Sequence, residues 1–130
     1  FNCRDTVQNN LIIHPKPLSQ FALNDSAGCS PLSVNLENQS IGGVFFNWVY
    51  GDLTPNSNTG DSIHNHLYFN NGGVNIVYQT SLETETNFGC TDTSYHNIFV
   101  STQVNSAIIA IDEACSPAPV QFTNNSTGAN

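Results

Sequence analysis

FNWVYGDL, residues 46–53, sets large apolar side chains on alternate positions and ends on a Gly-Asp pair. Phe46, Trp48 and Tyr50 share one face of an extended strand, because side chains there alternate with a period of two. Gly51 suits a positive φ and Asp52 suits bonding to nearby backbone N–H groups, so the strand should turn at that point. A tryptophan in the middle of such a strand is a residue that two packed sheets bury between them. The same period continues on both sides. Phe21 and Leu23 mark a first strand, and Leu32, Val34 and Leu36 a second that opens at Pro31, a tolerated strand start. The FNW strand is the third, after Gly42-Gly43. A polar loop, GDLTPNSNTGDS, leads to a short strand at His66 and Tyr68. After the NNGG turn at 70–73, Val74, Ile76, Tyr78 and Thr80 are expected to point inward, and the last strand carries Ile98 and Val100.

About seven short strands separated by turn signals, with no capped helical period, predict an all-β, immunoglobulin-like antiparallel sandwich. The composition agrees. The chain has 130 residues, 38% of them apolar, enough for one domain with a core. Its only basic residues are Arg4 and Lys16, and the formal charge is −8. That argues against nucleic acid and against anionic membrane surfaces, both of which need Lys and Arg to neutralise phosphates. No apolar run is long enough for membrane insertion as a helix. Few charges beside nineteen Asn and many Ser, Thr and Gly form the profile of an extracellular β protein. Four cysteines without compact ligand pairs point to disulfides in an oxidising compartment rather than to zinc.

Two patterns recur along the chain. Cys3, Asp5 and Thr6 return 87 positions later as Cys90, Asp92 and Thr93, and Leu11 and Ile13 return as Ile98 and Val100. Cys29, Ser30 and Pro31 return 86 positions later as Cys115, Ser116 and Pro117, followed by Val34/Val120, Leu36/Phe122, Asn38/Asn124 and Ser40/Ser126. A fixed period of this length implies tandem repeats cut out of phase. Residues 1–16 then end one repeat, 17–102 form a complete one, and 103–130 supply the first two strands of the next. With no initiator Met, the chain is expected to be a piece of a longer array, or to be completed by neighbouring molecules.

At this point the residues resemble a known family. FNWVYGDL is similar to the W-D-F-G-D-G signature of polycystic-kidney-disease (PKD) domains, and HLYFNNGGVNIVY, residues 66–78, resembles their H-x-Y-x-x-x-G-x-Y-x-V pattern. GCSPLSVNLENQS and GCTDT resemble the PKD-type repeats of very large bacterial surface proteins. In bacteria with type IX secretion, such repeats occur in gliding-motility adhesins and filaments. The signature departs at Val49 and Leu53, where Asp and Gly would stand. The resemblance implies structural roles for Trp48, Tyr50, Gly51, Asp52, His66 and Tyr68, an extracellular cell-surface location, and no catalysis. It also makes Asp followed by Ser or Thr and then a small or aliphatic residue relevant as an O-glycosylation pattern, fitted at Thr6, Ser26 and Ser62.

The expected role is a stiff shaft or spacer in a surface adhesin or filament, with neighbouring repeats or other subunits as partners. The alternative is a spacer or carbohydrate-binding module attached to a secreted polysaccharide-degrading enzyme. Phe45, Phe69, Phe88 and Tyr95 are candidates for stacking on sugar, and several aromatics on one face would favour that role. No cofactor is expected. His64 and His66 form an H-x-H, and Asp52 and Asp61 flank an Asn-rich loop, weak candidates for a metal or Ca²⁺ that match no established loop spacing. Four cysteines allow three internal pairings. Cys29–Cys90 needs one bridge per repeat, but a sandwich places those residues at opposite ends, roughly 20 Å or more apart. A disulfide needs Cα atoms within about 7 Å. The competing arrangement staples the Cys29-type residue of one repeat to the Cys90-type residue of the next, which puts the partners of Cys3, Cys29, Cys90 and Cys115 all outside these 130 residues.

Overall fold

A computed structural model describes residues 1–60 and 62–128. Its central unit contains seven strands: β1 Phe21–Leu23, β2 Ala27–Cys29, β3 Leu32–Asn38, β4 Phe45–Val49, β5 Ile63–Tyr68, β6 Ile76–Glu85 and β7 Thr91–Ser101. They form two sheets, one ordered β1-β3-β5 and the other β2-β7-β6-β4. All pairings are antiparallel except β2 with β7, which is parallel. The expected all-β sandwich is present, with two differences. β2 is additional to the strands read from the sequence, and Val74 precedes β6 with 72% of its surface exposed. The inward face of β6 holds Tyr78 against the core and Thr80 as expected, and continues through Leu82 and Thr84, both fully buried, because β6 pairs with β7 along its whole length.

The core lies between the two sheets. Phe21, Val34 and Leu36 come from β1 and β3, and Tyr68 from β5; Trp48, Leu82, Ile98 and Val100 come from the opposing layer. Burying each side chain of this kind contributes about 1.5–3 kcal/mol before chain entropy is subtracted. Phe21 meets Trp48 edge-on with ring centroids 5.0 Å apart, a favoured aromatic geometry. The buried Asn70 is satisfied within the unit, whereas the buried Trp48 indole N–H has no hydrogen-bond partner among the described residues. Asn70 donates to the carbonyls of Val74 and Val100, both at 2.8 Å, and its own N–H donates to Ser30 Oγ. The outer edge of β4 is covered where Trp48 and Ser57 exchange backbone hydrogen bonds of 2.8 and 3.1 Å, a common protection for an exposed strand edge.

The flanking segments behave differently. Residues 1–17 form no strand. Beyond β7, a small hairpin joins β8, Ile108–Ile109, to β9, Thr123–Asn124. Its hydrogen bonds repeat those of the β1–β3 hairpin one period earlier. Leu18 bridges Ile41 as Asn105 bridges Thr127. Gln20 N–H donates to Ser40 Oγ, and Ala107 N–H donates to Ser126 Oγ. The Oδ1 atoms of Asn38 and Asn124 accept from the backbone of Ser40 and Ser126. Gly42 and Gly128 have φ of 81° and 83°.

Candidate functional site

The turn leaving β4 builds the most polar cluster of the core. Gly51 has φ 82°, and a side chain there would come within 2.4 Å of the Gln79 carbonyl oxygen, so only glycine fits. Leu53 follows with φ 67°, a left-handed conformation unusual for leucine, and it stands at the position where the PKD signature has glycine. Asp52 Oδ1 accepts from the Thr54 backbone N–H at 3.1 Å and from the Thr54 hydroxyl at 2.5 Å. Its Oδ2 lies 2.8 Å from His66 Nε2. The His66 ring stacks on Tyr50 with centroids 3.7 Å apart and planes 2° from parallel. Burial pushes the Asp52 carboxyl up, but the bonds from Thr54 and His66 outweigh it and hold the group below the usual carboxylate range. Beside this cluster, Tyr68 Oη and Thr80 Oγ1 are 2.6 Å apart, and Thr80 Oγ1 donates to the Tyr50 carbonyl at 3.1 Å. Burial, the largest influence, raises the Tyr68 phenol to about 12.

These contacts clamp the β4 turn to β5 and β6. The two histidines of the H-x-H lie in this packed region. Both rings turn toward the core side of β5, and His64 meets Trp48 edge-on at 4.6 Å. Residues two apart on a strand share a face, and in β5 that face is the buried one. Among the described residues no three His, Cys, Asp or Glu side chains are grouped to hold a metal. Asp61 lies outside the described residues.

The aromatic candidates divide between two kinds of place. Phe69 follows β5, and Phe88 lies in the β6–β7 turn, where it stacks on His14 at 3.6 Å. Phe45 and Tyr95 both face outward from the four-stranded sheet, being 59% and 60% exposed. The same face carries Phe99, 50% exposed, which the sequence reading passed over. Its signal was available: Phe99 lies between the inward residues Ile98 and Val100 and so must point outward.

Thr6, Ser26 and Ser62 are all exposed. Among the described residues no disulfide joins the four cysteines. Cys29 lies opposite Ser101, whereas Cys90 immediately precedes Thr91 at the other end of β7. Ten strand residues span about 33 Å, so a Cys29–Cys90 bridge within this unit is out of reach.

The chain matches no protein-family model and no curated protein. Solved structures do resemble it. The PKD1 domain from the Vibrio cholerae metalloprotease PrtV is 23% identical with a TM-score of 0.51, over 66% of this chain and 98% of that one. The PKD1 domain of Vibrio anguillarum Epp is 22% identical with a TM-score of 0.51, over 68% of this chain and 98% of that one. A structure from work on carbohydrate-binding modules of the β-sandwich superfamily is 13% identical with a TM-score of 0.59, over 83% of this chain and 52% of that one.

Proposed function

We propose that this chain, whose all-β fold is the PKD-like sandwich, is part of a tandem array serving as a stiff extracellular shaft or spacer. The observation that carries the reading is the recurrence of the β1–β3 hydrogen bonds in the β8–β9 hairpin at the same period of 86–87 residues. Asp52 and His66 are engaged with each other, with Thr54 and with Tyr50, and hold the β4 turn in place, which suits a structural module. The short linker before β1 is also held down. Lys16 Nζ lies 2.5 Å from Asp92 Oδ1, and Ser19 N–H donates to Asp92 Oδ2 at 2.8 Å. A tied linker transmits force better than a free one. In this reading Cys29, at the trailing end of the unit, is bonded to the Cys90 equivalent of the following repeat, stapling the joint. The finer assignment is to a surface adhesin or motility filament exported by type IX secretion, and it rests on the resemblance of the repeats.

Electron microscopy of the native material tests the shaft. Uniform rods with an axial repeat of roughly 35–45 Å are expected, whereas isolated globules or flexible beads would overturn it. A second reading, a module that holds polysaccharide, is favoured by one feature: three exposed aromatics share the outer face of the four-stranded sheet. The similarity to a structure from work on carbohydrate-binding modules points the same way.

A further inference from the structure

The outer face of the four-stranded sheet has a defined order of side chains. Along β7 the outward residues are Thr91, Thr93, Tyr95, Asn97 and Phe99. The β6 partners of the last three are Ser81, Gln79 and Val77. Tyr95 and Phe99 are therefore separated by four strand residues, about 13 Å, with the Asn97 and Gln79 carboxamides side by side between them. Val77 widens the apolar surface next to Phe99 and is 52% exposed. Toward the other end, the face passes Glu83 and runs into a cleft of about 440 Å³ lined by Phe45, Asn47, Asn58, Glu83 and Glu85.

We infer that Tyr95, Asn97, Phe99 and Gln79 form a binding platform for an extended, uncharged polysaccharide. This rests on the second reading above and narrows it to a site and a ligand class. The flat C–H face of a pyranose ring is apolar, while its hydroxyls lie around the rim. An exposed aromatic ring covers the first, and a carboxamide, with two donors and an acceptor, serves the second. Two rings at this separation with amides between them engage more than one sugar along a chain.

Charge selects the occupant. The platform itself is uncharged, but Glu83 and Glu85 border it on a chain of net charge −8. Those carboxylates repel acidic polysaccharides and nucleic acid. They also oppose a second copy laid face to face, which would bring like charges together. A neutral glycan meets none of these penalties.

The opposite sheet provides a contrast. Its outward residues include Ser33, Asn35, Glu37 and Asn65, with Ile63 and Leu67 but no aromatic ring.

Native electrophoresis of the whole chain through gels cast with hydroxyethylcellulose, glucomannan or laminarin tests the platform, with alginate as the acidic counterpart. Retardation by at least one neutral polymer and none by alginate is expected. The Tyr95→Ala/Phe99→Ala double variant should lose that retardation by at least about tenfold in affinity, while Phe69→Ala keeps it. Unchanged Trp48 fluorescence will establish that the double variant is folded. No retardation by any neutral polymer would overturn both the platform and the second reading. Retardation that survives in the double variant would overturn the platform but leave polysaccharide binding standing elsewhere on the chain.

Discussion

Ile98 and Val100 are completely buried, whereas Leu11 and Ile13, which hold the same places one period earlier, are 85% and 83% exposed. The C-terminal copy repeats the contrast. Val34 and Leu36 have no exposed surface, while Val120 and Phe122 have 43% and 69%. The side chains are of the same kind and the local patterns nearly the same. What differs is the company: the central unit has β4, β5 and β6 to close over its inward residues, and neither flanking segment contains a counterpart of those strands. A strand hydrogen-bonds to one or two neighbours but buries its face only against a second layer. The β8–β9 hairpin makes this division visible, since it reproduces the local hydrogen bonds without reproducing the core.

The largest test of that contrast substitutes equivalent residues. Leu36→Ala should destabilise the central unit by about 2–5 kcal/mol, the usual cost of such a cavity. Phe122→Ala, at the equivalent place in the flanking copy, should shift it by no more than about 0.5 kcal/mol. Trp48 is the only tryptophan and lies in the core, so urea unfolding followed by its fluorescence reports on the central unit alone. Equal losses for the two variants would mean that the flanking hairpin is part of the same core.

Alkali should attack the closed unit through Tyr68, which has no counterpart in either flank. The phenol is raised from its ordinary value of 10 to about 12. Below pH 10 the folded and unfolded chains are both protonated there, so the shift has no effect. Between pH 10 and 12 the unfolded phenol ionises first, and stability falls by about 2–3 kcal/mol across that window. Urea melts at pH 9 and 11.5 should show the loss, and Tyr68→Phe should flatten it.

A smaller effect is expected at the β4 turn, which also exists only in the central unit. Leu53→Gly removes a left-handed leucine whose strain is on the order of 1 kcal/mol, partly offset by the added freedom of glycine when unfolded. A net stabilisation of about 0.5 kcal/mol should appear in the same urea melts. Destabilisation would mean that the exposed leucine makes contacts beyond its own turn.

Local periodicity was enough to locate β1, β3, β4, β5 and β7, to place Trp48 at the centre, and to assign the turn at Gly51. Each of those rests on side-chain alternation or on a φ that only neighbouring residues decide. Tyr95 stood among the stacking candidates without a strand assignment, and the alternation around Ile98 and Val100 contained the outward position of Phe99. Periodicity did not reveal β2, the continuation of the inward run beyond Thr80 to Leu82 and Thr84, or the inward orientation of His64 beside His66.

The sequence by itself therefore determined which residues alternate, where the chain turns, and that the pattern recurs every 86–87 positions. Tertiary structure alone decided that β2 pairs with β7 and runs parallel to it, and that Phe45, Tyr95 and Phe99 share one face. These are statements about which strands are neighbours. Pairing joins residues up to seventy or more positions apart, as Ala27 with Phe99 does, and it is chosen by burial of the whole unit rather than by any segment's own preference.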